Sequence, residues 1–270
     1  MENKKSKIKD LCIALLIGRK GSRRLRDKNL VKVVGRHIME YPILAAVNSK
    51  YVDEFYVSTD DERIREIAEG YGFKWIERPE ELATDEALAQ DVYVHAYRYL
   101  KEELGKNIKY LVLLSCNAPT VMAQHIDEAI EGLEKDTSYD SAATVSIYNM
   151  WSPLRAWKIA NNELKPFIPE HSYREIFGKE KSEMSSDRGS TGDTYFVDAA
   201  MFVIRPENME NIDRGYLPYK WLGKKIMSVE NWGGCDLDVH WQIPVIEYWL
   251  RQHGFAEYIT PYELAKMKEK

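Results

Sequence analysis

The sequence predicts a doubly wound α/β fold with a mostly parallel sheet, and three observations support this fold class. The first is an uninterrupted apolar run at residues 11–17, which is typical of a strand buried on both faces. The second is an alternation of strand and helix patterns over the first 150 residues. The third is a glycine-bearing basic loop directly after the first strand, where open α/β sheets bind anionic ligands.

Each strand is predicted from a short run of β-branched, aromatic and other apolar residues bounded by turn residues. We predict strands at residues 11–17, 30–34, 54–58, 73–76, 110–114, 141–147, 198–204 and 226–229. Apolar residues at helical spacing predict helices at residues 39–49, 62–71, 91–104, 123–134 and 239–251. The cluster at residues 59–61 is suited to cap the second helix, and Gly72 to end it. This order indicates a Rossmann-like arrangement in which helices connect parallel strands.

Residues 149–194 lack a clear period, because prolines, glycines and charged residues interrupt the pattern. A segment of this length without a period is typical of an insertion, a lid or an oligomerisation arm. We therefore predict one domain over residues 1–270, with an insertion at residues 149–195. The tryptophans of the C-terminal half are expected to pack at a domain or subunit contact.

Composition narrows the class of partner. The chain of 270 residues is 44% hydrophobic and 30% charged, with a formal net charge of −5. A general nucleic-acid binder is more often basic overall, so positive charge concentrated in one loop favours a small anionic ligand. Cys12, Cys116 and Cys235 lie far apart, which suits a reducing cytoplasm. The first apolar run is followed at once by Arg19 and Lys20, so we interpret it as a strand and expect no membrane partner.

The loop at residues 18–29 carries two glycines and six basic side chains. Glycines let backbone N–H groups approach phosphate oxygens, and Arg and Lys add charge-assisted hydrogen bonds. The loop matches neither the GxxxxGK[ST] pattern nor GxGxxG. Our hypothesis is that it holds a nucleoside triphosphate. The alternative is a solvated basic surface loop.

Four motifs occur along the chain in a characteristic order. They are GRKGSR at 18–23 with KN at 28–29, VSTD at 57–60, RPEELA at 78–83, and DLD at 236–238. In these motifs the chain resembles the acylneuraminate cytidylyltransferase family, the CMP-sialic acid synthetases. The resemblance implies transfer of CMP from CTP to a small acidic acceptor, a nonulosonic (sialic-like) acid, with release of pyrophosphate. It also implies a homodimer to which the insertion contributes.

The resemblance assigns roles to residues that match the family's motifs. It implies that the catalytic residues are Arg19, Lys28, Asp236 and Asp238. It implies that the nucleotide-binding residues are Gly18, Arg19, Ser22, Lys28, Asn29 and Arg78. Asp236 and Asp238 are the expected ligands of Mg²⁺, which prefers one or two carboxylates together with phosphate oxygens. Taken alone, an Asp-x-Asp pattern also fits a helix N-cap with a neighbouring surface charge.

The acceptor side departs from the family pattern. Where the family usually carries QPTSPLR after the fourth strand, this chain has SCNAPTV at 115–121. The candidates for acceptor binding are Ser115, Asn117, Arg155 and Arg188, since an arginine can pair bidentately with a carboxylate or a phosphonate.

Four alternatives to this activity stay open. The first two are a cytidylyltransferase acting on a phosphonate and a sugar nucleotidyltransferase that uses another base. The third is a non-catalytic nucleotide-binding module. The fourth, a basic-loop RNA binder, is disfavoured by the net negative charge, and we expect no nucleic-acid partner.

Overall fold

A computed structural model describes residues 9–22, 24–187 and 192–268. The described strands are β1 (Leu11–Ile17), β2 (Lys32–Val33), β3 (Arg36–His37), β4 (Glu54–Thr59), β5 (Lys74–Glu77), β6 (Ile108–Ser115), β7 (Ser141–Ile147), β8 (Trp157–Ala160), β9 (Glu163–Pro166), β10 (Tyr195–Ile204) and β11 (Ile226–Glu230). Seven of them form one sheet in the order β11-β7-β10-β6-β1-β4-β5. Only β10 runs antiparallel to its neighbours in this sheet. The predicted mostly parallel sheet is confirmed.

The described helices are α1 (Glu40–Val47), α2 (Glu62–Gly70), α3 (Ala89–Arg98), α4 (Ala123–Lys135), α5 (Tyr173–Phe177), α6 (Glu207–Glu210), α7 (Gln242–Gln252) and α8 (Pro261–Lys268). The five predicted helices correspond to α1, α2, α3, α4 and α7. The helix predicted at residues 91–104 is divided, because α3 ends at Arg98 and a π-helical turn continues over Tyr99–Glu103. Asp61 caps α2 as predicted, since its side chain accepts a hydrogen bond from the backbone N–H of Arg63.

Strand β1 lies in the middle of the sheet, and its side chains alternate between two hydrophobic cores. Ile13 and Leu15 pack on one face with aromatic residues of α3, including Tyr93. Ala14 and Leu16 pack on the other face with residues of α1, α2 and α4. Both faces are therefore covered, and this double burial explains why the strand has no polar alternation.

The predicted strand at residues 30–34 is wrong in its extent and in its placement. Only Lys32–Val33 is extended, and it pairs with Arg36–His37 in a separate two-stranded hairpin. Val34 and Gly35 both have positive φ angles, of 50° and 81°, which reverse the chain between the two short strands. Gly35 therefore forms the turn between the two short strands. Helix α8 was not predicted from the sequence.

The segment predicted as an insertion contains the β8–β9 hairpin, the short helix α5 and single 3₁₀ turns. Every residue of β8 and β9 is exposed, so the hairpin carries no buried apolar stripe that a sequence pattern could indicate. The role of residues 149–195 as a distinct insertion stays a prediction. Among the described helices, none is long and apolar enough to cross a bilayer.

Candidate active site

The carboxyl ends of four strands meet at one edge of the sheet and carry the candidate residues. Ile17, the last residue of β1, pairs with Ser58 of β4 and with Ser115 of β6. The basic loop begins directly after Ile17, and Arg78 follows the end of β5. The parallel register therefore brings motifs that are far apart in sequence to one edge, as expected for open α/β sheets.

A cleft of about 250 Å³ opens at this edge. It brings together eight of the predicted site residues, which are Gly18, Arg19, Ser22, Lys28, Asn29, Arg78, Ser115 and Asn117. Ser115 and Asn117 were predicted on the acceptor side, yet they line the same cleft as the basic loop. The segment after Arg78 also lines the cleft, through Leu82 of the RPEELA motif and through Thr84 and Ala87, which the sequence did not single out.

The start of the basic loop is held by backbone contacts. The N–H of Gly18 donates to the carbonyl of Ser58 at 3.3 Å, and the side-chain amide of Asn29 donates to the carbonyl of Arg19 at 3.1 Å. A Cβ atom at position 18 would collide with the side chain of Cys116, so only glycine fits this approach. The backbone N–H of Lys20 donates to Asp60 at 2.8 Å. The motif that follows β4 thus fixes the basic loop.

The basic side chains of the loop divide into two groups. Arg19 pairs with Asp85 and Lys28 pairs with Asp238, so both point toward the cleft region. Arg24 is largely exposed, 3.9 Å from Asp238, and Arg26 is almost fully exposed. The candidates Arg19 and Lys28 are therefore the two basic residues of the described loop that line the cleft.

Arg78 lies in the floor of the cleft and is only 7% exposed. One guanidinium nitrogen donates to the carbonyl of Ser58 at 2.6 Å. Burial lowers the pKa of Arg78, and the nearby carboxylate of Asp60 works against this shift. A buried guanidinium at the edge of a cleft can still offer donors to a polar ligand.

The two aspartates of the DLD motif do not line this cleft, but each contacts a residue that does. Lys28 Nζ lies 2.5 Å from an oxygen of Asp238, and the amide of Asn117 donates to Asp236 at 3.1 Å. The backbone N–H of Leu237 donates to the carbonyl of Asn117 at 2.7 Å. The alternative of a helix N-cap is wrong, because α7 begins at Gln242 and its N-cap residue is Trp241.

The electrostatics of the pair favour a cation. Burial raises the pKa of Asp236, the charge of Asp238 raises it further, and Lys28 partly offsets both. Two carboxylates held close together in a partly buried site attract positive charge. Within the described residues, no group of three or more His, Cys, Asp or Glu side chains is arranged to hold a metal ion. A metal here would therefore draw its further ligands from a bound molecule.

A second cavity, of about 700 Å³, lies on the other side of Asp236. Its walls are mainly aromatic and apolar and include Tyr148, Met150, Trp151, Phe196 and Trp241. In the sequence, the feature that could have indicated this cavity is the large number of aromatic residues in the C-terminal half. Packing was expected for these tryptophans, but Trp151 and Trp241 are 56% and 61% exposed.

Of the two arginines predicted for the acceptor, Arg155 does not line this cavity. Arg155 donates to the carbonyl of Ser186 at 2.7 Å and lines a separate cleft of about 400 Å³ with Trp157 and Tyr173. Arg188 lies outside the described residues.

The fold and the site define an α/β protein with a basic cleft beside a carboxylate pair. The chain belongs to the cytidylyltransferase family, because residues 13–163 match the family model described as cytidylyltransferase. This match confirms the resemblance that the four motifs indicated.

Two relatives and one solved structure illustrate the similarity. N-acylneuraminate cytidylyltransferase of Escherichia coli O18:K1:H7 is 32% identical over 137 residues, covering 51% of this chain and 32% of that protein. Pseudaminic acid cytidylyltransferase of Campylobacter jejuni serotype O:2 is 30% identical over 167 residues, covering 61% and 69%. The structure of CMP:2-keto-3-deoxy-manno-octonic acid synthetase with CTP has a TM-score of 0.61 at 15% identity, covering 90% and 99%, and shows the shared fold. The chain spans about a third of the length of the first curated relatives it matches.

Proposed function

We propose that this chain transfers CMP from CTP to a nonulosonic acid and releases pyrophosphate. The observation that carries the proposal is the ion pair between Lys28 and Asp238, which places the carboxylate pair directly beside the basic loop of the cleft. The names of the relatives, N-acylneuraminate and pseudaminic acid cytidylyltransferase, support the choice of nucleotide and acceptor.

In the proposed reaction, a hydroxyl oxygen of the acceptor attacks the α-phosphorus of CTP. The new O–P bond forms as the bond to the bridging oxygen of pyrophosphate breaks, and the hydroxyl proton passes to solvent. Because negative oxygens surround the phosphorus, catalysis consists mostly of charge neutralisation and alignment. Arg19 and Lys28 would neutralise the triphosphate, with Ser22 as a further donor. Asn29 and Arg78 would line the ribose and cytosine end.

The donor set at the DLD motif fits Mg²⁺. Asp236 and Asp238 offer hard oxygen ligands. Burial and then the charge of Asp238 raise the pKa of Asp236, and a divalent cation would offset the second of these causes. The phosphate oxygens of CTP would complete the ligand set. When bound, Mg²⁺ supplies charge neutralisation at the phosphates. Asn117 would hold Asp236 in place through its amide.

The aromatic cavity beside Asp236 is the proposed acceptor site. Ser115 and Asn117 line the neighbouring cleft, and Asn117 contacts Asp236 between the two. An N-acyl sugar acid presents an apolar acyl group that suits such walls. Arg155 and Arg188 are proposed to bind the acceptor's carboxylate. Arg155 lies in a different cleft, so this role requires residues 149–195 either to move or to reach the acceptor site of a second subunit. We propose the second arrangement, a homodimer. We also propose a cytoplasmic location, where CTP is available.

One assay tests the proposed reaction directly. The protein is incubated with Mg²⁺, each of the four nucleoside triphosphates and a panel of 2-keto sugar acids and phosphonates, and pyrophosphate is measured. We expect release only with CTP and a nonulosonic acid, with the CMP-sugar identified by mass spectrometry. A preferred purine nucleotide would contradict the cytidylyl assignment. A preferred phosphonate would replace the sugar acid as acceptor, and no release with any acidic acceptor would contradict an enzymatic role.

A further inference from the structure

A largely buried carboxylate forms part of the wall of the aromatic cavity, and the reaction proposed above gives it no role. Asp198 on β10 is 6% exposed, and four groups donate to its two oxygens. The donors are the hydroxyls of Thr144 and Ser146, at 2.5 and 2.7 Å, and the N–H groups of Ala200 and the Asn231 side chain, both at 3.1 Å. Full satisfaction of both oxygens makes this carboxylate a fixed element of the interior.

The hydrogen bonds of Asp198 lead to the segment that carries the metal-binding candidates. The Ser146 hydroxyl contacts the carbonyl of Asn231 at 2.5 Å and accepts a hydrogen bond from the N–H of Gly234 at 3.0 Å. The side chain of Asn231 also donates to the carbonyl of Thr120 at 2.9 Å. Asp236 follows Gly234 by two residues. The network therefore reaches the DLD motif through the backbone.

A second pair of contacts holds the residue next to Asp236. The hydroxyl of Thr120 donates to the carbonyl of Cys235 at 3.0 Å and accepts from its N–H at 2.9 Å. Thr120 is fully buried. One side chain thus holds both backbone polar groups of Cys235. The backbone therefore has little freedom to change its direction between Cys235 and Asp236.

The packing between Asp198 and the segment is tight. A Cβ atom at Gly234 would collide with Asp198 and with the side chain of Asn231, so only glycine allows this approach. On the other side, Ala199 has a positive φ of 58°, and the register of β10 against β7 shifts between Val197 and Phe202. The strand leaves regular geometry where Asp198 meets its donors, and such irregular positions are over-represented at functional sites.

We propose that Asp198 is a positioning residue which, through Ser146 and Asn231, fixes residues 231–238 so that Asp236 and Asp238 face the cleft. This inference rests on the proposed function, because it gives the two aspartates their role as Mg²⁺ ligands. Asp198 touches neither the nucleotide cleft nor the carboxylates themselves. Groups that orient metal ligands from behind commonly change metal affinity when they are replaced.

Two serines on β7 provide a matched test. Ser146 and Ser141 are both buried, and the Ser141 hydroxyl donates to the carbonyl of Leu222 at 2.6 Å, at the opposite end of the strand. Ser146→Ala should raise the Mg²⁺ concentration for half-maximal pyrophosphate release about tenfold or more. It should leave the KM for CTP near its original value. Ser141→Ala should change neither quantity, although it also removes a buried hydrogen bond. The Tm should fall further in Ser146→Ala, because that hydroxyl contacts Asp198, Asn231 and Gly234.

A measurement on the metal-free protein tests positioning separately from activity. In Ser146→Ala, amide hydrogen exchange should become faster along residues 234–238, and in Ser141→Ala it should stay unchanged there. Asp198→Asn should repeat the pattern of Ser146→Ala, because an amide group would face existing donors. Equal Mg²⁺ dependence in both serine variants, or unchanged exchange along residues 234–238 in Ser146→Ala, would overturn the proposal. If the unmodified protein releases no pyrophosphate, the proposed function fails while the exchange experiment still decides whether Asp198 positions the segment.

Discussion

The nucleotide side and the acceptor side of this protein are built in different ways. The basic loop, Arg78, Ser115 and Asn117 lie at the ends of neighbouring strands, and the sheet's register brings them into one cleft. The described part of residues 149–194 contains an exposed hairpin, the short helix α5 and single turns, and Arg155 lies in a cleft of its own. Contacts on the nucleotide side are therefore set by the core, whereas those on the acceptor side depend on an arm that the core does not hold.

This difference predicts that the two sides tolerate substitution to different degrees. A loop bounded by buried strands has little freedom to change without affecting the sheet. An exposed arm can change its sequence at small cost in stability, because surface substitutions usually change the unfolding free energy by less than about 0.5 kcal/mol. Substitutions on the two sides should consequently affect different kinetic constants.

The largest effect is expected at the carboxylate pair. Asp238→Ala removes a proposed Mg²⁺ ligand and the partner of Lys28, so we expect kcat to fall by about a hundred- to a thousandfold. Pyrophosphate release from CTP at saturating acceptor measures the change. Asp213→Ala is the control, since this aspartate is 89% exposed and pairs with Lys220 away from the site. Activity close to that of the original protein in Asp238→Ala would remove the metal assignment.

The next largest effect, on kcat/KM for CTP, is expected at the partly buried Lys28 of the basic loop. Lys28→Met should raise the KM for CTP and lower kcat, together by about a hundredfold in kcat/KM, because the triphosphate loses a neutralising charge. Lys28→Arg should recover part of the loss. Lys32→Met, at an exposed position of β2, serves as the control. An equal effect at both lysines would indicate general surface electrostatics in place of a specific contact.

A smaller effect, confined to the acceptor, is expected in the arm. Arg155→Ala should raise the acceptor's KM about tenfold, the effect of losing one charge-assisted hydrogen bond worth about 1.5 kcal/mol. The KM for CTP should not change. Arg174→Ala, an exposed arginine of α5 paired with Glu180, should change neither constant. If Arg155→Ala instead raises the KM for CTP, the proposed division between the two sides is wrong.

The smallest effect, which concerns the free energy of unfolding and no kinetic constant, is expected at the amino end of β4, away from the cleft. Burial works to raise the pKa of Glu54, but hydrogen bonds from Lys106, Tyr56 and Lys74 outweigh it and lower the pKa from 4.5 to about 2. Because the folded pKa is the lower one, this carboxylate stabilises the fold above pH 4.5, and the stabilisation is lost as pH falls toward about 2.

Urea unfolding at a series of pH values tests this prediction. Glu54→Gln should lower the unfolding free energy at pH 7 by about 1 kcal/mol, and the difference from the original protein should disappear on acidification. The KM for CTP should stay constant, because Glu54 lies at the opposite end of the sheet. Glu62→Gln, at an exposed position on α2, should show no such pH-dependent difference. A difference between Glu54→Gln and the original protein that persists down to pH 2 would contradict the assignment.

Periodicity and apolar runs were enough to predict most of the core. Every predicted strand of the central sheet was found, since strands buried on both faces leave continuous apolar runs in the sequence. The prediction failed at residues 30–34, where two successive positive φ angles reverse the chain, and it missed the β8–β9 hairpin, which has no buried face. Val33 and Val34 are buried in a core outside the central sheet, so their apolar run marks burial without a long strand. The hairpin has no apolar pattern because it has no buried face.

The sequence by itself determined the order of strands and helices, the basic loop and the DLD motif, because each is a local pattern of charge or hydrophobicity. Only the tertiary structure decided that Lys28 meets Asp238 and that Asn117 meets Asp236, since these pairs are separated by 210 and 119 residues. It likewise separated Arg155 from the cleft and placed an aromatic cavity beside Asp236. The physical reason is that a strand's register and the path of an exposed arm follow from packing between distant segments, which no local pattern records.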